Sequence, residues 1–199
     1  MIRDVVMLDS GGTNLGSVQY AFERLGVRAE LSRDPEGIRR ASHVVLPGVG
    51  AAAPGMQRLR ASGLDRLIPT LTQPVLGVCL GMQLLFEASE EGDTACLGIL
   101  KGRLTRFDEA HCGRVPHMGW NRIDAVRDSP LLAGLDRDAY AYFVHSYAAP
   151  VTAATVATCD YGGAFAAVVS DRNFHGAQCH PERSAAVGAR LLSNFLELS

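Results

Sequence analysis

The stretch from Pro74 to Gln83, Pro-Val-Leu-Gly-Val-Cys-Leu-Gly-Met-Gln, constrains this chain more than any other. It is an apolar strand that breaks at Gly77 and Gly81 and runs into a helical pattern read from Met82 to Ser89. A glycine two residues either side of a nucleophile, between strand and helix, is the signature of a nucleophile elbow. The glycines allow a tight turn, and the side chain between them is pushed out at the strand's carboxyl end. A helix amino terminus at that point lowers a thiol's pKa and favours the thiolate. A lone cysteine is more often a buried core thiol. Here a second motif argues against that bland reading. About a hundred residues later stands Gln178-Cys179-His180-Pro181-Glu182-Arg183-Ser184, which offers a histidine as base and a carboxylate two residues on to orient it. Cys79, His180 and Glu182 together read as a cysteine-dependent acyl-transfer site.

The remainder of the chain alternates strands and helices over its first two thirds. Val5 to Asp9 reads as a strand, followed by Gly11-Gly12-Thr13-Asn14 and a helix with Val18, Ala21, Phe22 and Leu25 on its apolar side, closed by Gly26. His43 to Leu46 is a buried strand ending at Pro47-Gly48-Val49-Gly50, and Met56, Leu59 and Leu64 to Leu71 look helical. This alternation predicts an α/β fold with a doubly wound, mostly parallel sheet. Ligands bind such sheets at the strands' carboxyl ends, where the glycine-rich turns after Asp9, Leu46 and Val78 all open. From about Gly98 the pattern changes to strands: 98–107, 119–126, 140–147, 155–159, 165–170 and 174–179, expected as an antiparallel addition to the sheet. A last helix carries Val187, Leu191, Leu192, Phe195 and Leu196 at helical spacing. No repeat or linker interrupts this pattern, so residues 1–199 are expected to form one domain.

Net charge is −2 with no basic run, which argues against nucleic acid or an anionic membrane as partner. The amino terminus reads as a first strand and not a signal peptide, and no apolar run reaches the length of a membrane span. Five cysteines (79, 96, 112, 159 and 179) without paired spacing fit a reducing cytosol, so a cytoplasmic location is expected. No metal-ligand spacing such as C-x-x-C occurs, and no cofactor is expected.

With these motifs in place, the chain resembles the class I (triad) glutamine amidotransferases, on the elbow from Gly77 to Gln83 and on His180-Pro181-Glu182. Within them it is similar to the glutaminase subunits of imidazole glycerol phosphate synthases, from histidine biosynthesis. That likeness rests on Leu46-Pro47-Gly48-Val49-Gly50, Val115-Pro116-His117-Met118-Gly119-Trp120-Asn121, Tyr142-Phe143-Val144-His145-Ser146-Tyr147 and His180-Pro181-Glu182-Arg183-Ser184. It spans essentially the whole chain. The resemblance implies hydrolysis of glutamine to glutamate and ammonia, with the ammonia used by a separate (βα)8-barrel cyclase subunit. No barrel sequence follows up to Ser199, so the partner is expected on another chain. The alternative is a stand-alone cysteine hydrolase or peptidase with the same elbow.

By the same resemblance, Cys79 attacks the side-chain amide, His180 shuttles the proton and Glu182 holds the imidazole. Elbow geometry gives the oxyanion a backbone N–H from Leu80. The loop at Val49 is expected to supply a second, by a peptide flip that its flanking glycines permit; a plain strand-to-helix turn is the other reading. Gln83, Glu91 and the backbone at Gly50, Ser146 and Tyr147 are implied to hold glutamine, although Glu90 and Glu91 also fit a solvated acidic pair. Asn14, Met118, Trp120 and Arg183 are implied to face the partner, Trp120 being either core or an interface anchor. His145 lacks the carboxylate that His180 has, and His43, His111 and His175 read as structural or exposed. Three positions depart from the family pattern. Cys179 stands where phenylalanine is typical and, by strand alternation, points away from the face of His180. Asp9-Ser10-Gly11-Gly12-Thr13-Asn14 replaces Asp-Tyr-Gly-x-Gly-Asn, and Arg183 stands where lysine is frequent.

Overall fold

The computed structural model describes residues 4–9 and 14–199. The first glycine-rich turn, at 10–13, lies outside them. In chain order the elements are β1 (Val5–Leu8), α1 (Leu15–Glu23), β2 (Ala29–Ser32), α2 (Pro35–Arg40), β3 (His43–Gly48), α3 (Ala52–Ala61), α4 (Leu64–Leu67), β4 (Val75–Cys79), α5 (Leu80–Leu84), β5 (Phe86–Ser89), β6 (Thr94–Ala95) and β7 (Leu100–Arg106). There follow α6 (Glu109–Cys112), β8 (His117–Arg122), β9 (Asp124–Ala125), β10 (Tyr140–His145), β11 (Tyr147–Ala148), β12 (Thr155–Asp160), β13 (Ala164–Asp171), β14 (Phe174–Ala177) and α7 (Ala185–Leu196). Among the described residues no helix is long and apolar enough to cross a membrane.

The main sheet has the order β2-β1-β3-β4-β14-β13-β12-β9. Strands β2, β1, β3, β4 and β14 run parallel, and β13, β12 and β9 continue antiparallel. This is the expected α/β architecture with a mostly parallel sheet. Its central strands β1, β3 and β4 are near-continuous apolar runs, as a sheet covered on both faces requires. One core lies around Leu46, Met56, Leu80 and Leu84, a second around Phe22, Val45, Leu192 and Phe195, and a third around Phe143, Phe165 and Leu191.

Three expectations need correction. The pattern read as helical from Met82 to Ser89 is helix only to Leu84; Phe86–Ser89 is strand β5, parallel to β7. The later strands do not all extend the main sheet. β5, β6, β7 and β11 form a four-stranded sheet, and β8 pairs with β10 in a separate antiparallel ribbon. The stretch 140–147 is broken at Ser146 between β10 and β11. β2 and α2 add to the expected order: Ala29–Ser32 is a half-exposed edge strand without apolar alternation, and Asp34 caps the short α2 by accepting from Gly37 N at 2.8 Å.

α5 is seated very close to the sheet. A Cβ on Gly81 would fall 1.8 Å from the carbonyl oxygen of Leu46, and one on Gly77 would fall 2.6 Å from the amide of Met82. Gly48 and Gly176 are equally close to Gly81 N and to the Met82 side chain. Glycines on β3, β4 and β14 thus form the floor on which α5 rests. Since backbone cannot yield as a side chain tip can, Gly81→Ala is expected to cost more than about 3 kcal/mol in chemical denaturation. Gly16, inside α1 with only the Tyr20 ring at 3.9 Å, is the control. Gly16→Ala should be neutral or stabilise by about 0.5–1 kcal/mol. Equal effects would refute the steric account.

Candidate active site

Cys79 ends β4 and precedes α5 with φ 52° and ψ −112°. That left-handed backbone is unfavourable for any residue with a Cβ, and such strain costs of order 1–3 kcal/mol. It persists because the glycine floor fixes the turn on both sides. The helix behind it is only five residues long. A short helix gives a weak dipole, so the electrostatics of the sulfur depend chiefly on its neighbours.

Those neighbours arrive by strand register. β14 lies parallel to β4 with Ala177 opposite Val78, so the chain beyond Ala177 runs on beside the elbow. His180 N donates to Tyr142 O at 2.8 Å, Tyr142 N donates to Ser184 Oγ at 2.9 Å, and Ser184 Oγ donates to His180 O at 2.7 Å. This clamp fixes the His180 backbone to β10. Its ring Nδ1 donates to Glu182 Oε1 at 2.8 Å, which leaves Nε2 for the sulfur side. Burial lowers the His180 pKa, but hydrogen bonding and attraction from Cys79 and Glu182 outweigh it and hold the pKa up at about 10. Burial also raises Glu182, yet the His180 and Asn14 contacts bring it below the usual carboxylate value. His180 is therefore an imidazolium at neutral pH, between sulfur and carboxylate.

Asn14 occupies the cap position of α1 in left-handed backbone (φ 67°) and makes no side-chain cap. Its Nδ2 instead donates to Glu182 Oε1 at 2.9 Å. The residue expected at the partner surface is thus bonded to the site's carboxylate. Cys179 is fully buried, and burial pushes its thiol up to about 12, which marks an inert core position.

A cavity of about 160 Å³ opens at this point, lined by Val49, Gly50, Cys79, Leu80, Gln83, Glu91, Val144, His145, Tyr147 and His180. That is small beside pockets for drug-sized ligands and suits one small substrate. Gly48 pairs in register with Cys79, which places the Val49–Gly50 loop next to the elbow. Gln83 Nε2 donates to Tyr147 O at 2.9 Å and to Gln178 Oε1 at 3.0 Å, so its free group is an acceptor. Glu91 Oε2 accepts from Ala52 N at 2.7 Å, at the start of α3. Ser146 does not line the cavity; its carbonyl accepts from Phe107 N, and Val144 takes the place beside the sulfur. Cys79 Sγ lies 3.9 Å from Val144 O.

Beneath β10 sits a buried histidine pair. His145 Nδ1 donates to Tyr147 O at 2.9 Å, so its Nε2 must accept from His117 Nδ1 at 3.2 Å, and His117 Nε2 accepts from Asn121 at 3.3 Å. Both rings are consequently neutral. Burial lowers His117 to about 4 and His145 to about 3, the latter helped by repulsion from His117 and His180. His175, bonded to Ser170 at the opposite end of β14, falls to about 4 by burial and by repulsion from His43. On the other face of the ribbon Met118 and Trp120 are 62% and 53% exposed, Trp120 meeting Tyr142 edge-on at 6.0 Å. Trp120 is thus a surface residue, not core, and Arg183 is exposed nearby in sequence to His180.

These values set a pH window. His117, His145 and His175 protonate in the unfolded chain near pH 6.5 but resist in the fold, so stability falls as pH drops from 6.5 towards 4. His180 acts oppositely: its stabilisation is complete below 6.5 and is lost as pH rises through about 10. Unfolding near pH 5 should therefore take up close to three protons at the first three side chains. Thermal unfolding across buffers checks this, and a Tm unchanged between pH 6.5 and 5 would contradict it.

Comparison with known proteins places this geometry. The model for "Glutamine amidotransferase class-I" matches residues 6–198. The chain is 60% identical over 198 residues to "Imidazole glycerol phosphate synthase subunit HisH" of Xanthomonas axonopodis pv. citri, covering 100% of this chain and 99% of that protein. The protein of the same name from Xylella fastidiosa is 56% identical, covering 99% and 98%. In three dimensions the fold is similar to a crystal structure of a glutamine amidotransferase (TM-score 0.75, 19% identity, 97% of each chain). It is also similar to the glutaminase domain of Trypanosoma brucei CTPS with bound acivicin (TM-score 0.65, 17% identity, 100% and 95% covered).

Proposed function

The chain belongs to the class I glutamine amidotransferase family, and we propose that residues 1–199 act as one glutaminase domain, the ammonia-producing subunit of an imidazole glycerol phosphate synthase in histidine biosynthesis. The observation that carries this reading is the meeting of Cys79 and His180 at one cavity, with Glu182 bonded to His180, in a chain 60% identical along its full length to such a subunit. That identity favours the subunit over a stand-alone cysteine hydrolase.

In this reading Cys79 Sγ attacks the amide carbon of the glutamine side chain. The oxyanion is met by the backbone N–H of Leu80, with Val49 supplying the second donor. His180 Nε2–H then protonates the departing nitrogen; the C–N bond breaks, ammonia leaves and a glutamyl thioester remains. Water adds next, giving its proton to His180, and collapse returns the sulfur as glutamate departs. Glu182, held by Asn14, keeps Nδ1 protonated and the ring in place. Gln83 offers an acceptor to the substrate's N–H groups, and Glu91, Gly50 and Tyr147 complete the pocket. Ser146 acts only through the chain turn that sets Val144 and Tyr147.

Ammonia in water protonates and dilutes, so a synthase must take it directly from the site. The partner, a (βα)8-barrel cyclase on another chain, would cover the cavity mouth through Met118, Trp120 and Arg183. Tyr140 and Tyr142, in register with Arg122 and Trp120, extend that exposed face. Asn14, bonded to Glu182, would link that face to the triad. The backbone clamp between β10 and His180 would carry the effect of docking to the base. A cytoplasmic setting suits the five free thiols.

A glutaminase assay with and without the barrel subunit and its nucleotide ligand tests this. The chain alone should be slow and the loaded complex much faster. Cys79→Ser should abolish hydrolysis in both, and Cys179→Ala should largely spare it. Trp120→Ala or Arg183→Glu should weaken assembly and glutamine-dependent synthesis while free ammonia still supports the barrel. Full activity without the partner, and no binding to it, would favour the stand-alone hydrolase.

A further inference from the structure

Gln178 is completely buried, and nothing in the triad mechanism uses it. Its place follows from register. With Ala177 opposite Val78, the next residue on β14's course falls beside Cys79. Gln178 N donates to Ala167 O at 2.9 Å, which pins the backbone there. Its side-chain Nε2 lies 3.8 Å from Cys79 Sγ, within contact for a sulfur acceptor.

The hydrogen-bond network fixes which end of that amide faces the sulfur. Tyr147 O can only accept, so the Gln83 atom 2.9 Å away must be the donor Nε2. The same NH₂ reaches Gln178 at 3.0 Å, so the Gln178 atom on that side must be Oε1. Nε2 of Gln178 is thereby turned to the sulfur, and rotation of the amide would break the Gln83 contact and set an acceptor against the nucleophile. The other groups around the sulfur are Val144 O, an acceptor 3.9 Å away, the His180 cation with Glu182 behind it, and the neutral His145. Val144 O suits the protonated thiol. For the thiolate, Gln178 is a fixed, buried donor that complements the mobile proton on His180.

We infer that Gln178 is a catalytic residue: its side-chain amide donates to the Cys79 sulfur and stabilises the thiolate, both before attack and when the thioester collapses. The inference rests on Cys79 being the nucleophile. A donor in a water-excluded site needs no reorganisation when charge returns to the sulfur. Gln83 would then serve two ends, holding Gln178 with its donors and substrate with its acceptor.

The test reads thiolate directly, so it separates from any failure of glutamine turnover. Iodoacetamide reacts with thiolate, and the rate at Cys79 is followed against pH by mass spectrometry of its peptide in the full-length chain. Gln178→Met removes the donor at similar size. Gln178→Glu keeps an acceptor for Gln83 but sets a carboxylate against the sulfur. We expect alkylation at pH 7 to fall about tenfold in Gln178→Met, as for loss of a hydrogen bond to a charged group, and further in Gln178→Glu. A purely structural role gives the opposite order, because Glu preserves the Gln83 contact that Met loses; that order, or no change in either variant, overturns the inference. Should either variant fail to fold by circular dichroism, the wild type still decides. The Gln178 side-chain amide resonance should shift with pH at the midpoint of the alkylation profile and lose that shift in Cys79→Ser. A resonance that does not move overturns the inference equally.

Discussion

The close seat of α5 on the sheet is the contact on which the rest of this site depends. Gly48, Gly77 and Gly81 let backbone approach backbone where any Cβ would collide, and Gly176 leaves room for the Met82 side chain. The closeness has a cost, paid in the left-handed conformation of Cys79. In return the sulfur stands at the end of the central strand with no freedom to withdraw. The same glycine floor sets Leu80 N at the start of the helix and brings Gly48, and with it the Val49 loop, alongside. Cys79, the Leu80 amide and the Val49 loop are thus one mechanical unit.

Around that unit the charges are arranged so that one cation is stabilised and two nearby imidazoles are not. His180 has a sulfur on one side and a carboxylate on the other, and these outweigh its burial. Among the described residues His117 and His145 hydrogen-bond each other, an amide and a carbonyl, so burial decides and they stay neutral. Opposite protonation of buried histidines within one site follows from partners, not from depth. The β8–β10 ribbon joins the two groups. Its inner face holds the neutral pair, its backbone holds His180, and its outer face presents Met118 and Trp120. A protein docked on that outer face would press on the strand that positions His180.

The tight turn at Cys79 and the His180–Glu182 contact were legible because they are local: Cys79 stands between its glycines, and Glu182 lies two residues from His180. The alternating first two thirds were legible for the same reason. Phe86–Ser89 was not, since it continues the apolar pattern of Leu84 and Leu85, and pairing with β7 on one side and β6 on the other makes it a strand. Helical and extended readings of a short apolar run cannot be told apart by spacing. The bond from Asn14 to Glu182 was not legible, because the two residues are 168 positions apart. Gln178 had a usable signal: on an extended strand it shares a face with His180, by the same alternation that turns Cys179 into the core.

Acid-quench mass spectrometry tests the central claim most directly. The chain, mixed with the nucleotide-loaded barrel subunit and glutamine and quenched during turnover, should carry a glutamyl group on the Cys79 peptide and on no other cysteine. Turnover with the adduct on Cys179, or sustained turnover with no thioester on Cys79 under any quench time, would contradict the account.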